Sequence, residues 1–122
     1  MTTKNKRDIG KEGEEIAAKF LVENGFQIIE RNFQFSNIGE IDIVAKDQQQ
    51  TVFVEVKSRL NLEFGEPELA VTPKKIRQIK RMAELYLFNK GIEEIDCRFD
   101  VIAVIIGDGK KPAVTHYENA FD

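Results

Sequence analysis

Two short stretches of the chain alternate apolar and polar residues with period two: GEIDIVA (39–45) and TVFVEVK (51–57). That period belongs to strands whose two faces meet different surroundings. The polar KDQQQ between them predicts a hairpin. FQIIERNF (26–33) reads as a preceding strand, joined to the hairpin by a turn at SNIG. Helical periods flank this meander. Over 7–24, Ile9, Gly13, Ile16, Ala17, Phe20 and Leu21 recur on one helical face, and Gly25 is placed to end the helix. TPKKIRQIKRMAELYLFNKG carries a second helix: Thr72 as N-cap, Pro73 as first helical residue, Gly91 as stop. Its buried stripe is Ile76, Ile79, Ala83 and Tyr86. RFDVIAVII (98–106) is apolar on both faces, as a strand inside a covered sheet is. GDGKKP follows as a turn and AVTHYE (113–118) as a last strand. LNLEFGEPELAV (60–71) has no period and reads as a long loop, with Phe64 expected in the core.

The predicted order is α-β-β-β-α-β-β. A meander followed by a helical crossover to an inner strand implies a mixed sheet with helices packed on it, an α/β fold. The 122 residues are expected to form a single domain, 1–122. With 42% hydrophobic and 32% charged residues the composition is that of a soluble protein. No apolar run approaches a membrane span, and no h-region follows MTTKNKRDIG, so the cytoplasm is the expected location. A net charge of −3 argues against a protein that coats nucleic acid nonspecifically; any such contact must be local. The lone Cys97 reads as a small buried residue and the lone His116 as structural or exposed.

Charges inside the most apolar hairpin change this picture. Alternation sets Phe53, Glu55 and Lys57 on one face of their strand, away from Val52, Val54 and Val56. In the partner strand Glu40, Asp42 and Val44 share a face, opposite Ile41, Ile43 and Ala45. A tight turn at Gln48 and Gln49 sets Asp42 against Glu55 and Glu40 against Lys57, with opposed Cβ atoms about 5 Å apart. Opposed carboxylates destabilise a sheet unless something offsets them. A hard divalent cation does, since Mg²⁺ or Mn²⁺ takes carboxylate, water and phosphate oxygens. Lys57 would then orient an attacking water or bear on charge developing at a phosphate. The structural alternative is a solvated Glu40–Lys57 ion pair with Asp42 and Glu55 merely exposed.

Asp42 followed by Glu55-Val56-Lys57 resembles the PD-(D/E)xK nuclease pattern, with Ile41 where the proline usually stands. The segments GKEGEEIAAKFLVENGFQIIERNF, GEIDIVA, VFVEVKSR, FGEPELAVTPKK, RFDVIAV and HYENAF, in that order, closely resemble the YraN-like family over nearly the whole chain. The resemblance implies a restriction-endonuclease-like fold, similar to archaeal Holliday-junction resolvases. It also implies a Mg²⁺-dependent (or Mn²⁺-dependent) phosphodiesterase site. Asp42 and Glu55 fall on the metal ligands and Lys57 on the catalytic lysine. Resolvase-like members add an acid on the first helix, and Glu14 of the G-x-x-G-E stretch corresponds to it. Helix geometry agrees: at about 100° per residue Glu14 lies at the edge of the buried stripe and Glu15 opposite it. Gly10 and Gly13 each cost roughly 1 kcal/mol inside a helix, which suits a close approach of its backbone to the sheet or a ligand. Glu40 is read as a neighbour of the ligands or a partner of Lys57 rather than a ligand, and Arg59 as a phosphate contact or an ordinary strand-end arginine.

The second helix is locally basic, with Lys74, Lys75, Arg77, Lys80 and Arg81. Lys74 and Lys75 oppose the helix dipole in the first turn, so they rank first as nucleic-acid contacts; a solvated polar face is the alternative. Arg98 and Asp100 read as a structural ion pair. The expected function is a metal-dependent endonuclease acting on DNA, branched or structured DNA included. The alternative is a nucleic-acid-binding module with the nuclease fold and no activity of its own. The sequence leaves RNA open as a partner and expects no membrane; resolvases act as dimers on a junction with two symmetric strands, and the resemblance leaves a homodimer open for this chain.

Overall fold

The computed structural model describes residues 5–61, 71–93, 96–107 and 111–121. The sheet meander opens with β1 (Gln27–Phe35), β2 (Gly39–Asp47) and β3 (Gln50–Arg59), preceded by helix α1 (Lys6–Glu23). Helix α2 (Pro73–Asn89), β4 (Cys97–Ile105) and β5 (Ala113–Phe121) complete the order α-β-β-β-α-β-β. One five-stranded mixed sheet runs β1-β2-β3-β4-β5, antiparallel except for the parallel β3–β4 pair. The fold is α/β, as the sequence predicts. Phe64 and most of the 60–71 loop lie outside the described residues, as does part of the GDGKKP turn.

Both helices stop where the glycines indicated. Gly25 and Gly91 follow the last helical turns at φ +90° and +70°, a region glycine enters without a Cβ clash. Asn5 caps α1 and Thr72 caps α2 through side-chain oxygens that accept from Asp8 and Lys75 backbone N–H. β1 and β5 run further than the sequence predicts, to Phe35 and Phe121. Their added residues are carried by sheet pairing rather than by any local apolar signal.

The sheet buries a separate cluster on each face. Val52 and Val54 meet Ala17 and Leu21 of α1 together with Ile102 and Val104. Phe53 meets Met82, Ala83 and Tyr86 of α2, with Phe99 packed alongside. Met82 replaces Ile76 in the α2 stripe: Ile76 is only half-buried. β4 is inner, and Val101 to Val104 are buried along it. Cys97 is half-buried beside the α2 cluster.

The β2–β3 ladder begins at Asp47↔Gln50, so the turn is Gln48-Gln49 as predicted. Gln48 sits at φ +57°, where a side chain costs about 1 kcal/mol that glycine avoids. Gln48→Gly is expected to raise the denaturation midpoint by roughly 0.5–1 kcal/mol of stability, measured by urea unfolding; a lower midpoint would refute it.

Candidate active-site cleft

The β2–β3 ladder ends at Ile43↔Val54, while β2 continues to pair with β1 as far as Gly39. Beyond Ile43, β2 therefore leaves β3 and follows β1. Strict alternation fails at this point. Ile41 packs in the α2-side cluster with Val44, whereas Ile43 and Ala45 pack on the α1 side. The face assignment made from the sequence for residues 40–45 is corrected accordingly: Ile41 and Ile43 do not share a face. Asp42, in the parting, reaches across it, and its Oδ2 accepts the Val56 backbone N–H at 2.8 Å. Period-two reasoning assumes a continuous ladder, and here the ladder stops.

The parting opens a cleft of about 810 Å³ between the two helix layers. Glu14 enters it from α1, Glu40 and Asp42 from β2, Glu55, Lys57 and Arg59 from β3, and Lys75 from α2. Seven of the eight residues singled out in the sequence thus line one cavity. Lys74, the eighth, is exposed and is not part of its lining.

Within the cleft the acids divide into two groups. Glu14, Glu40 and Asp42 each place one carboxylate oxygen within 4.8 Å of the others. Glu55 instead offers Oε1 to two ammonium groups, Lys57 Nζ at 3.5 Å and Lys75 Nζ at 3.6 Å. Glu40 also accepts from Gln34 Nε2 at 3.1 Å. The predicted Glu40–Lys57 opposition gives way to a Lys57–Glu55 pair along one strand, because β2 has already turned from β3 at that level. Arg59 turns back to the neighbouring carbonyl, donating to Ser58 O at 3.0 Å.

Burial and crowding raise Asp42 and Glu14. Asp42 is pushed up to about 8, first by burial and then by the charge of Glu55, with Glu14 and Glu40 adding to it; the Val56 N–H opposes the shift. Glu14 is raised by burial and by Glu40, with Arg31 and Asn32 partly offsetting them. Glu15, its neighbour, is exposed, as the helix geometry predicts, and it pairs with Arg31 at 2.8 Å.

α1 reaches the cleft because of Gly13. A Cβ there would fall 1.7 Å from Ser58 Oγ and 2.7 Å from Ser58 Cβ, so the helix backbone lies directly on β3. Gly10 lines the cleft, and a Cβ added to it would meet nothing within 4 Å.

Away from the cleft a second polar centre was only half legible. Arg98 Nε and Nη2 donate to Asp100 at 3.0 and 3.1 Å, the predicted ion pair. His116 Nε2 lies 2.7 Å from Asp100 Oδ2, between the rings of Phe20 and Phe26. The pairing of β4 with β5 brings His116 there, and no local pattern marked it.

The profile of the family described as "Uncharacterised protein family UPF0102" matches residues 13–104. A UPF0102 protein of Trichlorobacter lovleyi is 48% identical over 120 residues, covering 98% of this chain and 94% of its own. One of Geotalea daltonii is 47% identical over 116 residues, covering 95% and 91%. A third, from Geobacter sulfurreducens, is 46% identical over 114 residues, covering 93% and 88%. Among the described residues no helix is long and apolar enough to cross a membrane.

Proposed function

The chain belongs to the UPF0102 family, and from that premise and the chemistry of the cleft we propose a metal-dependent endonuclease that hydrolyses DNA phosphodiester bonds, with branched or structured DNA as substrate. The observation that carries this reading is the convergence of Glu14, Glu40 and Asp42 beside Glu55 and Lys57 in one open cleft.

The donor set fits a hard divalent ion. Glu14 of α1 and Glu40 and Asp42 of β2 bring carboxylate oxygens together, with Glu55 of β3 lining the same cleft, and Mg²⁺ and Mn²⁺ prefer oxygen ligands. Asp42 is pushed up to about 8 by burial first and by the charges of Glu55, Glu14 and Glu40 after it, and a bound cation would offset those charges. Glu14, Asp42 and Glu55 are the residues proposed to hold the ion. Glu40 joins them, since its oxygen lies in the same group as those of Glu14 and Asp42. When bound, such an ion makes a water more acidic and offsets charge at a phosphate.

The chain's own groups supply the rest. Lys57, 3.5 Å from Glu55, presents an ammonium to the cleft and is proposed to bear on charge at a phosphate there. Arg59, further along the same wall, is proposed as a contact to an adjacent phosphate, and exposed Lys74 as one outside the cleft. The proposed setting is the cytoplasm, and a homodimer is the expected assembly if the four-way junction is the substrate.

The test is cleavage of a labelled panel of single strand, duplex, flap and four-way junction in Mn²⁺ or Mg²⁺. Wild type and Lys57→Ala are purified in parallel. Wild type is expected to cut, and the variant to be slower by at least about 100-fold. Equal cutting by both would expose a contaminant. Cutting by neither would favour a binding module without activity of its own.

A further inference from the structure

Lys75 stands where helix energetics disfavour it. With Thr72 as N-cap it occupies the third helical position, where a glutamate would close a capping box and a cation opposes the helix dipole. Its backbone is fixed: the N–H donates to Thr72 Oγ1 at 3.2 Å, and three residues later Gln78 Nε2 ties the helix to β2's approach by donating to Ile38 O at 2.7 Å. Its side chain crosses to the β3 wall and shares Glu55 Oε1 with Lys57.

The two lysines are not equivalent. Lys57 leaves the same strand as Glu55, two residues along, and its side chain is 20% exposed. Lys75 comes from the opposite helix layer, and its side chain is 33% exposed. Both contacts exceed 3.4 Å, too long for strong charge-assisted hydrogen bonds, so neither ammonium is locked in place. A cation drawing on Glu55 would weaken its hold on both, and the more exposed, separately anchored lysine is the one able to leave.

We propose that Lys75 is a substrate-binding residue of the cleft. It rests on Glu55 in the free protein and moves to a phosphate oxygen of the bound strand when a divalent ion takes up the charge of Glu55. The inference rests on the phosphodiesterase reading and adds to it a second lysine from α2, with competition between that lysine and the ion.

Two probes test it. The first is Mn²⁺ alone, titrated against the melting temperature. Lys75→Met is expected to reach half of its stabilisation at several-fold lower Mn²⁺ than wild type, because Glu55 is freed. The second is a labelled four-way DNA junction bound in Ca²⁺, with a gel confirming that the probe stays intact. Lys75→Met is expected to weaken binding about tenfold and to reduce the slope of log affinity against log salt by about one. Lys74→Met removes the same charge from outside the cleft and is expected to change both less. Lys75→Arg, which keeps the cation, should restore junction binding. An unchanged Mn²⁺ requirement, or unchanged junction binding, in Lys75→Met would overturn the proposal while leaving the phosphodiesterase reading intact. A wild type that neither responds to Mn²⁺ nor binds the junction would overturn both.

Discussion

Asp100→Ala is expected to cost about 3–5 kcal/mol, enough to unfold much of the protein at moderate urea. Asp100 is fully buried at the start of β4 and accepts from Arg98, His116 and the Asn119 backbone N–H. The β4–β5 register shifts between Phe99 and Val101, so the carboxylate fills the place of a missing ladder partner. Removing it strands Arg98, which also binds Asp47 and Gln50 at the β2–β3 turn and thereby joins that hairpin to β4. Burial raises the carboxyl of Asp100, but the bonds from His116, Arg98 and Asn119 outweigh it, and the net pKa lies below the ordinary 3.8. The unfolded chain therefore takes the proton first as pH falls. The contribution of Asp100 is complete above about pH 4 and disappears as acid titrates the folded carboxylate. Arg98, which also faces Asp47 and Glu118, supplies the positive charge beside this carboxylate. Urea unfolding at neutral pH measures the loss, and repeating it below pH 4 should show the gap between variant and wild type closing. A loss under about 1 kcal/mol would show that the network is not what holds β4 to β5.

The second large effect is expected at Gly13. Gly13→Ala drives a methyl into Ser58, and overpacking of this kind costs about 1–3 kcal/mol. The nearest obstacles are both side-chain atoms of Ser58, while its Cα would be 3.8 Å from the new Cβ. Ser58→Gly clears that space. The double variant Gly13→Ala/Ser58→Gly should recover most of the lost stability, although Ser58→Gly alone weakens a strand. Thermal and urea unfolding of the four proteins form the test. Additive losses in the double variant would show that α1 and β3 are not held apart by this contact. Any displacement of α1 also carries Glu14 away from Glu40 and Asp42, so Gly13→Ala should weaken the Mn²⁺ response as well.

The elements of this fold were legible because their signals are local. Alternation in TVFVEVK, the Thr72–Pro73 start and the Gly25 and Gly91 stops each depend on a few neighbouring residues. The hairpin register was legible too, because a two-residue turn sets it. What failed was an inference across the hairpin. The side-chain faces of residues 40–42 depend on where β2 leaves β3, and nothing in GEID states that its partner changes. The pairing of Lys75 with Glu55 was likewise hidden, since it depends on how α2 returns across the sheet. Lys74 and Lys75 look alike in the sequence, yet only one lines the cleft. His116 gave no sign of its carboxylate partner, because β5 brings it there from 16 residues away.

Asp42 and Asp100 share one unusual duty. Each stands where a ladder is interrupted, and each offers a side-chain oxygen to a backbone N–H of the neighbouring strand. In both places the carboxylate imitates a peptide carbonyl. An amide keeps one such oxygen, so at Asp42 asparagine can hold the seam to Val56 while withdrawing the charge; at Asp100 both oxygens already accept, from Arg98, His116 and Asn119, and an amide nitrogen would face a donor there. Shape and electrostatics are thus separable by a single-atom exchange at the cleft, and bound together in the buried network far from it.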